Sequence, residues 1–356
     1  MRRRVLSLLP PLAALLGCLL TLPKSAETAH AAGWTDALRQ QVEQIDRTSP
    51  GALGVYVKRL DTGETFSYGA DQRWYLGSTV KVPVAIAVLQ QVDAGKLRLT
   101  DQLVLQDTDK VDGSGQLVWR PAGAAYTVDA LITRMLGVSD NTAANMLIRR
   151  VGLDALNRSN QAAMGAGNTG RLTDFTQIRY DVYAELHPDA RRLSNLQLVQ
   201  VASEPVGPGR LGTIKRAMKK NDAALQAKDF DEAYDRYYRR GFNAATLQGY
   251  GQMLEKLVRG QLLSAMGTQR LFTAMKFGTP GEYRLEAGLP KTVKFIHKTG
   301  TQYRRACHVG VVNPQNGGAR AVVIATCAAD LDDQKEAGGV FEDVGRAVRQ
   351  TVLAGM

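Results

Sequence analysis

A serine and a lysine three residues apart, Ser78 and Lys81 in Gly77-Ser78-Thr79-Val80-Lys81, are the pair in this chain whose types and spacing suit covalent chemistry. On a helical segment positions i and i+3 share a face, so the hydroxyl and the amine come within hydrogen-bond reach. That sets a nucleophile beside a base. A serine hydroxyl attacks only once its proton is taken, and a lysine takes it only if burial or a second cation lowers its ordinary pKa of about 10.4. The plain alternative is that Ser78 does no more than cap a helix, a role Ser favours.

Two tripeptides give the pair its context: Ser139-Asp140-Asn141, opening a helix, and Lys298-Thr299-Gly300, ending a strand. Lys298 is then the second cation. Read plainly, Asp140 is a helix cap, Asn141 a solvated first-turn residue and Lys298 a strand-end charge. Competing designs find less support. No G-x-S-x-G surrounds Ser78 and no H-E-x-x-H is present. His187 falls in a loop and His297 and His308 in late strands, so a Ser-His-Asp arrangement needs one of them to approach Ser78. Neither a metal nor a cofactor is expected.

The elements that must position these residues follow from periodicity. Trp34, Leu38, Val42 and Ile45 recur at helical spacing and predict a helix over 34–48, ended by Ser49-Pro50-Gly51. Gly54 to Leu60 and Glu64 to Tyr68 read as a hairpin about Asp61-Thr62-Gly63. The apolar run Val82 to Leu89 reads as a buried helix, with Pro83 tolerated near its start. Further helices are expected over 127–136, 140–150, 153–164, 243–259 and 340–353. Strands return at Val293 to His297, Ala306 to Val312 and Ala319 to Ala325. The expected architecture is α+β, a five-stranded antiparallel sheet flanked by helices, with a helical domain inserted between its early and late strands. In domain terms, 32–86 and 264–356 form an α/β domain and 87–263 a helical one, enlarged at about 190–240.

The N-terminus, Met1-Arg2-Arg3-Arg4 followed by apolar Val5 to Leu22 and small residues at Ala29-His30-Ala31, has the layout of a signal peptide covering 1–31. An exported protein, periplasmic or secreted, is expected; Leu15-Leu16-Gly17-Cys18 offers a lipoprotein alternative. No later stretch has 18 uninterrupted apolar residues. The formal charge of +11 falls to about +8 without 1–31. That fits attraction to anionic envelope polymers or mere solubility, and no nucleic-acid motif accompanies it. Cys307 and Cys327 lie 20 residues apart across a hairpin. The even separation puts them on one face, directly opposed if the loop centres near Gly317 and offset if Asn316-Gly317 is a two-residue turn. A disulfide and two buried thiols both remain open.

In order, S-x-x-K, S-D-N and K-T-G make the chain resemble the class A β-lactamases and their penicillin-binding relatives over most of residues 34–356. The resemblance implies an exported serine hydrolase that forms an acyl-enzyme on Ser78 with a β-lactam or a peptidoglycan-like acyl substrate. It implies that Ser139 sits between Lys81 and Lys298 and passes a proton to the leaving nitrogen. Asn141 would bond the substrate's amide side chain, and Lys298, Thr299, Gly300 and Thr301 would contact the substrate, the first two through its carboxylate. The backbone N–H groups of Ser78 and Thr301 would form the oxyanion hole.

The resemblance breaks at two places. The glutamate of an E-x-x-L-N loop, which positions the deacylating water in efficient β-lactamases, is missing from Phe175 to His187, where Glu185 and then Asp181 are the nearest carboxylates. The segment at 190–240 is also longer than the family leads one to expect. There Phe230, Tyr234, Tyr237 and Tyr238 share a helical face, among the basic residues Lys215, Arg216, Lys219, Lys220, Arg236, Arg239 and Arg240. Those aromatics either pack an extra helix onto the body or rebuild a wall of the cleft. Two other functions stay in view: a D-alanyl peptidase or esterase on the same scaffold, and a poorly active binding module contacting its partner through 207–240.

Overall fold

The computed structural model describes residues 33–275 and 277–354; the expected leader and Cys18 lie outside them. Nine strands are described: β1 (Ala52–Arg59), β2 (Thr65–Tyr68), β3 (Arg73–Tyr75), β4 (Gln102–Val104), β5 (Ala125–Thr127), β6 (Ala244–Thr246), β7 (Phe295–Gln302), β8 (Arg305–Val312) and β9 (Val322–Ala329). The five longest elements of the expected sheet assemble in the order β2-β1-β9-β8-β7, every pair antiparallel. β1, β8 and β9 are apolar nearly throughout because both faces are covered, which is why they read as runs rather than as an alternation.

One face is closed by α1 (Trp34–Thr48) and the C-terminal helix Ala337–Thr351, with Leu38, Val42, Phe341, Val344 and Val348 packed on Val55, Val57 and Ile324. The other face meets α2 (Lys81–Asp93), whose residues Lys81 to Leu89 are all buried. Around α2 stand α3 (Val128–Gly137), α4 (Asn141–Val151), α5 (Leu153–Met164) and α6 (Phe175–Leu186). After them come α7 (Asn195–Val201), α8 (Pro208–Met218) and α9 (Phe230–Arg239), the content of the long segment. α10 (Leu247–Val258) and α11 (Ala265–Ala274) complete the layer. The fold is α+β, as expected.

Three local expectations are corrected. Ser78 lies in a 3-10 turn, Gly77–Val80, and the α-helix begins only at Lys81. Side chains at i and i+3 eclipse in that tighter turn, so the Ser78–Lys81 argument survives. Lys298-Thr299-Gly300 lies inside β7 rather than at its end, since pairing with β8 runs on to Gln302 opposite Arg305, where Tyr303 and left-handed Arg304 turn the chain. The segment 243–259 starts with β6, paired to β3, before α10 begins.

The loop between β8 and β9 centres on Gly317, because Val312 faces Val322. Cys307 and Cys327 are therefore directly opposed, and they form a disulfide with Cα atoms 4.0 Å apart. It is buried against the sheet face that carries the Ser78 turn.

Candidate active site

The Ser78 turn is pressed onto β7 at two glycines. A Cβ on Gly77, whose φ is +53°, would stand 2.7 Å from the Thr301 nitrogen, and one on Gly300 would stand 2.2 Å from the Leu76 oxygen. Only residues without side chains allow this approach. It brings the backbone of Ser78 alongside that of Thr301, and it gives Gly300 a packing role.

Lys81 is fully buried at the start of α2. Its Nζ lies 2.9 Å from Ser78 Oγ, 2.6 Å from the Ser139 carbonyl oxygen, 3.0 Å from Ser139 Oγ and 2.6 Å from Asn141 Oδ1. Burial first, and the charge of Lys298 second, hold its pKa well below the ordinary lysine value; Asp140 opposes them and is outweighed. A neutral amine has two N–H groups and one lone pair. The Ser139 carbonyl and Asn141 Oδ1 can only accept, so they take both N–H groups and leave the lone pair to a serine hydroxyl. The arrangement can therefore deprotonate Ser78.

Ser139 holds this position in the left-handed region, φ 59°, a strain of about 1–3 kcal/mol for a residue with a side chain. Next to it Asp140 caps α4, accepting from the amides of Ala143, Gln116 and Leu117 at 2.9, 2.9 and 3.1 Å. Asp140 is thus more than a cap, tying the 112–119 loop to the helix. Asn141 spends Oδ1 on Lys81 and one amide hydrogen on the Asp112 carbonyl at 2.8 Å, leaving one N–H for a substrate. Lys298 is 5% exposed and donates to the Thr299 carbonyl at 2.9 Å.

A cavity of about 1200 Å³ opens in front of Ser78; Gly77, Asn141 and Thr301 share its wall, whereas Thr299 does not. Neither Glu185 nor Asp181 reaches it. Ile178 and Arg179 of α6 line the cavity, but Glu185 is seven residues beyond Ile178, roughly 10 Å along the helix. There it faces Arg240 at 3.5 Å, and buried Asp181 takes Arg191 at 2.8 Å and Arg240 at 3.5 Å. Within Phe175 to His187, the side chain against Lys81 is Phe175, its ring centre 4.6 Å from Nζ. Among the described residues no carboxylate contacts Ser78 or Lys81.

Several residues of the site carry no motif. Asp112 and Arg179 form a bidentate pair, 2.6 and 2.7 Å, in the cavity wall. Arg284, 2% exposed and with φ 55°, donates to the carbonyls of Gly300 and Cys307 at 3.1 and 3.2 Å and to Thr301 Oγ1 at 2.9 Å. It buttresses the two residues of β7 that face the Ser78 turn. Of the sequence-level signals, only the shared aromatic face of α9 pointed here. Tyr237 and Tyr238 pack on Tyr75, Phe230 packs on Tyr183, and Tyr234 lines the cavity. Both readings of that face hold: the helix is packed on the body and it walls the cleft.

The histidines are engaged elsewhere. His187 accepts from the Asp189 amide. Leu285 N–H donates to His308 Nδ1 at 3.2 Å, which leaves the His308 proton on Nε2, 2.9 Å from His297 Nδ1; His297 Nε2 is then the donor to Glu286 Oε1 at 3.2 Å. Glu286, His297 and His308 offer ligand atoms within 4.8 Å of one another. Yet this chain consumes every ring nitrogen, and the Leu285 amide disfavours the tautomer that ligation through His308 Nε2 would need.

Compared with known proteins, residues 37–352 match the family model described as the beta-lactamase enzyme family. The chain belongs to that family and is a serine hydrolase. A beta-lactamase of Rhodobacter capsulatus is 35% identical over 117 residues, a local match covering 33% of this chain and 40% of that protein. A beta-lactamase of Mycobacterium tuberculosis is 26% identical over 314 residues, 87% of this chain and 84% of its own length. The solved structure of PBP-A superposes with a TM-score of 0.66 at 22% identity, covering 90% of this chain and 97% of that one. That last likeness bears on the fold alone.

Proposed function

We propose that this serine hydrolase acylates Ser78 with β-lactams and releases the acyl group slowly. Lys81 takes the Ser78 proton as Oγ attacks the β-lactam carbonyl carbon, and the N–H groups of Ser78 and Thr301 receive the developing oxyanion. When the carbon–nitrogen bond breaks, the ring nitrogen takes the Ser139 hydroxyl proton, which the Lys81 ammonium replaces. Asn141 orients the acyl amide through its remaining N–H, and the Lys298 charge attracts the substrate carboxylate toward Thr301, which shares the cavity wall.

The observation that carries slow release is Phe175 against Lys81. Activating a water on the acyl-enzyme is general-base work, typically worth 10²–10⁴ in rate, and an apolar ring occupies the place beside Lys81. A cavity larger than the roughly 300–1,000 Å³ of most small-ligand sites also supports the peptidase reading, in which the acyl donor is a cell-wall peptide. Export, with 1–31 as leader, completes the proposal; a disulfide fits an oxidising compartment.

The test is the intact mass of the protein against time after adding benzylpenicillin, with Ser78→Ala alongside. A wild-type adduct persisting for many minutes is expected. An adduct that clears within seconds removes slow release, and no adduct removes acylation.

A further inference from the structure

We propose that the extra helices build, in the same cavity as Ser78, a subsite for an anionic group on the acyl side of the substrate, a carboxylate held by Arg210 with Tyr234 beside it. This rests on the acylation reading above. Val199, Ala202, Ser203, Val206 and Arg210, from α7 to α8, share the cavity wall with Tyr234 of α9 and with Ser78 and Asn141. Arg210 is only 8% exposed. Its Nε donates to the Glu204 carbonyl at 2.6 Å and its Nη2 to the Ala202 carbonyl at 3.0 Å. Among the described residues it makes no ion pair, so three of its five N–H groups and its whole charge are uncommitted. A cation removed from water without a counter-charge is costly, and an incoming carboxylate supplies the counter-charge.

Tyr234 adds an independent observation. It is 1% exposed, its ring lines the cavity, and its hydroxyl has no hydrogen-bond partner among the described residues; the buried Tyr183 hydroxyl behind it has none either. Burial raises the pKa of both, so both are protonated and able to donate at neutral pH.

None of the cavity's carboxylates is ion-paired with Arg210, and the two that are ion-paired have other partners. Asp112 is neutralised on both oxygens by Arg179. On the opposite rim Asp330 pairs with Arg304 and Arg305, Asp332 accepts from the amides of Gln334 and Lys335, and Asp333 accepts from the Arg304 amide and Gln334 Nε2. Glu336 accepts from the Asp332 amide. On the wall built by the extra helices the unspent groups, the Arg210 guanidinium and the Tyr234 hydroxyl, are donors.

Carbenicillin and benzylpenicillin differ by one carboxylate on the acyl side chain, so the experiment compares their rates of Ser78 acylation by intact mass. Wild type is expected to favour carbenicillin by about tenfold, the worth of one charge-assisted hydrogen-bond set. In Arg210→Gln the ratio should fall to about one, and in Tyr234→Phe it should fall part of the way. Equal rates in wild type, or a ratio unchanged in Arg210→Gln, overturn the subsite. If Arg210→Gln does not fold, Tyr234→Phe, which deletes a single oxygen, decides by the same ratio. If neither penicillin acylates, the acylation reading fails and calorimetry decides the subsite, with phenylmalonic monoamide and phenylacetamide as probes. Tighter binding of the charged amide, lost in the variants, upholds it; equal binding overturns it.

Discussion

The ring of Phe175, the first residue of α6, covers Lys81 Nζ at 4.6 Å, in the stretch where a carboxylate would be needed to activate water on an acyl-enzyme. Phe175 is one residue past Asp174, which caps α6 by accepting from the Gln177 amide, so its position is set by the helix start. Replacing it with glutamate puts a base beside the acyl group. Phe175→Glu should speed deacylation at least tenfold, read as faster loss of the penicillin adduct in intact mass. It should also slow acylation, because a carboxylate there favours the Lys81 ammonium. An adduct lifetime equal to wild type would reject the blocking role of Phe175.

Acylation needs neutral Lys81, so its rate should climb with pH as Lys81 loses its proton. The Lys298 charge helps hold the Lys81 pKa down. Lys298→Ala removes a like charge, raises that pKa and moves the rising limb of the acylation profile to higher pH. The position of the limb, not its height, is the readout, since substrate affinity changes as well. A limb that stays in place shows that burial alone sets the Lys81 pKa.

Asp112 and Arg179, side chains 13% and 11% exposed, make a pair whose halves are not equivalent to lose. Asp112→Asn leaves a buried guanidinium uncompensated and should cost about 3–5 kcal/mol in denaturant unfolding. The double variant Asp112→Leu with Arg179→Met should recover most of that loss, because well-packed apolar side chains replace both charges. A double variant as unstable as the single one would show that the hydrogen bonds, not the charge balance, matter.

His308 is fully buried, and its pKa is held well below 6.5 by burial first and then by His297, Arg284 and Lys298. In the unfolded chain it titrates near 6.5. Above that pH both states are neutral and nothing is lost. Below it only the unfolded state takes the proton, so stability should fall with decreasing pH by up to about 1.4 kcal/mol per unit until the folded pKa is reached. Urea titrations between pH 7 and 5 on wild type and His308→Asn should show a smaller acid loss in the variant; equal slopes would reject this assignment.

The amino-acid order by itself made the candidate chemistry and the sheet legible. Ser78 and Lys81 share a face by their spacing alone, and Ser139 to Asn141 and Lys298 to Gly300 complete the pattern by which the chain resembles its family. The five strands were legible because a buried strand must be apolar at fixed intervals, and the cysteine pairing became definite once the loop centre at Gly317 was known. Glu185 marks the limit of such local reading. Sequence distance ranks it as near the site, but two turns of α6 turn it to Arg240.

Only the tertiary structure decided what surrounds those groups. The lowered pKa of Lys81 depends on burial and on a second lysine 217 residues away in sequence, brought close when β7 packs on the Ser78 turn. Phe175 over Lys81, Arg284 behind Thr301, and Arg210 without a counter-charge likewise join residues from different elements. Hydrophobic periodicity records which face of an element is covered, whereas contact between elements depends on packing geometry, and the electrostatics of a buried site are set by those contacts.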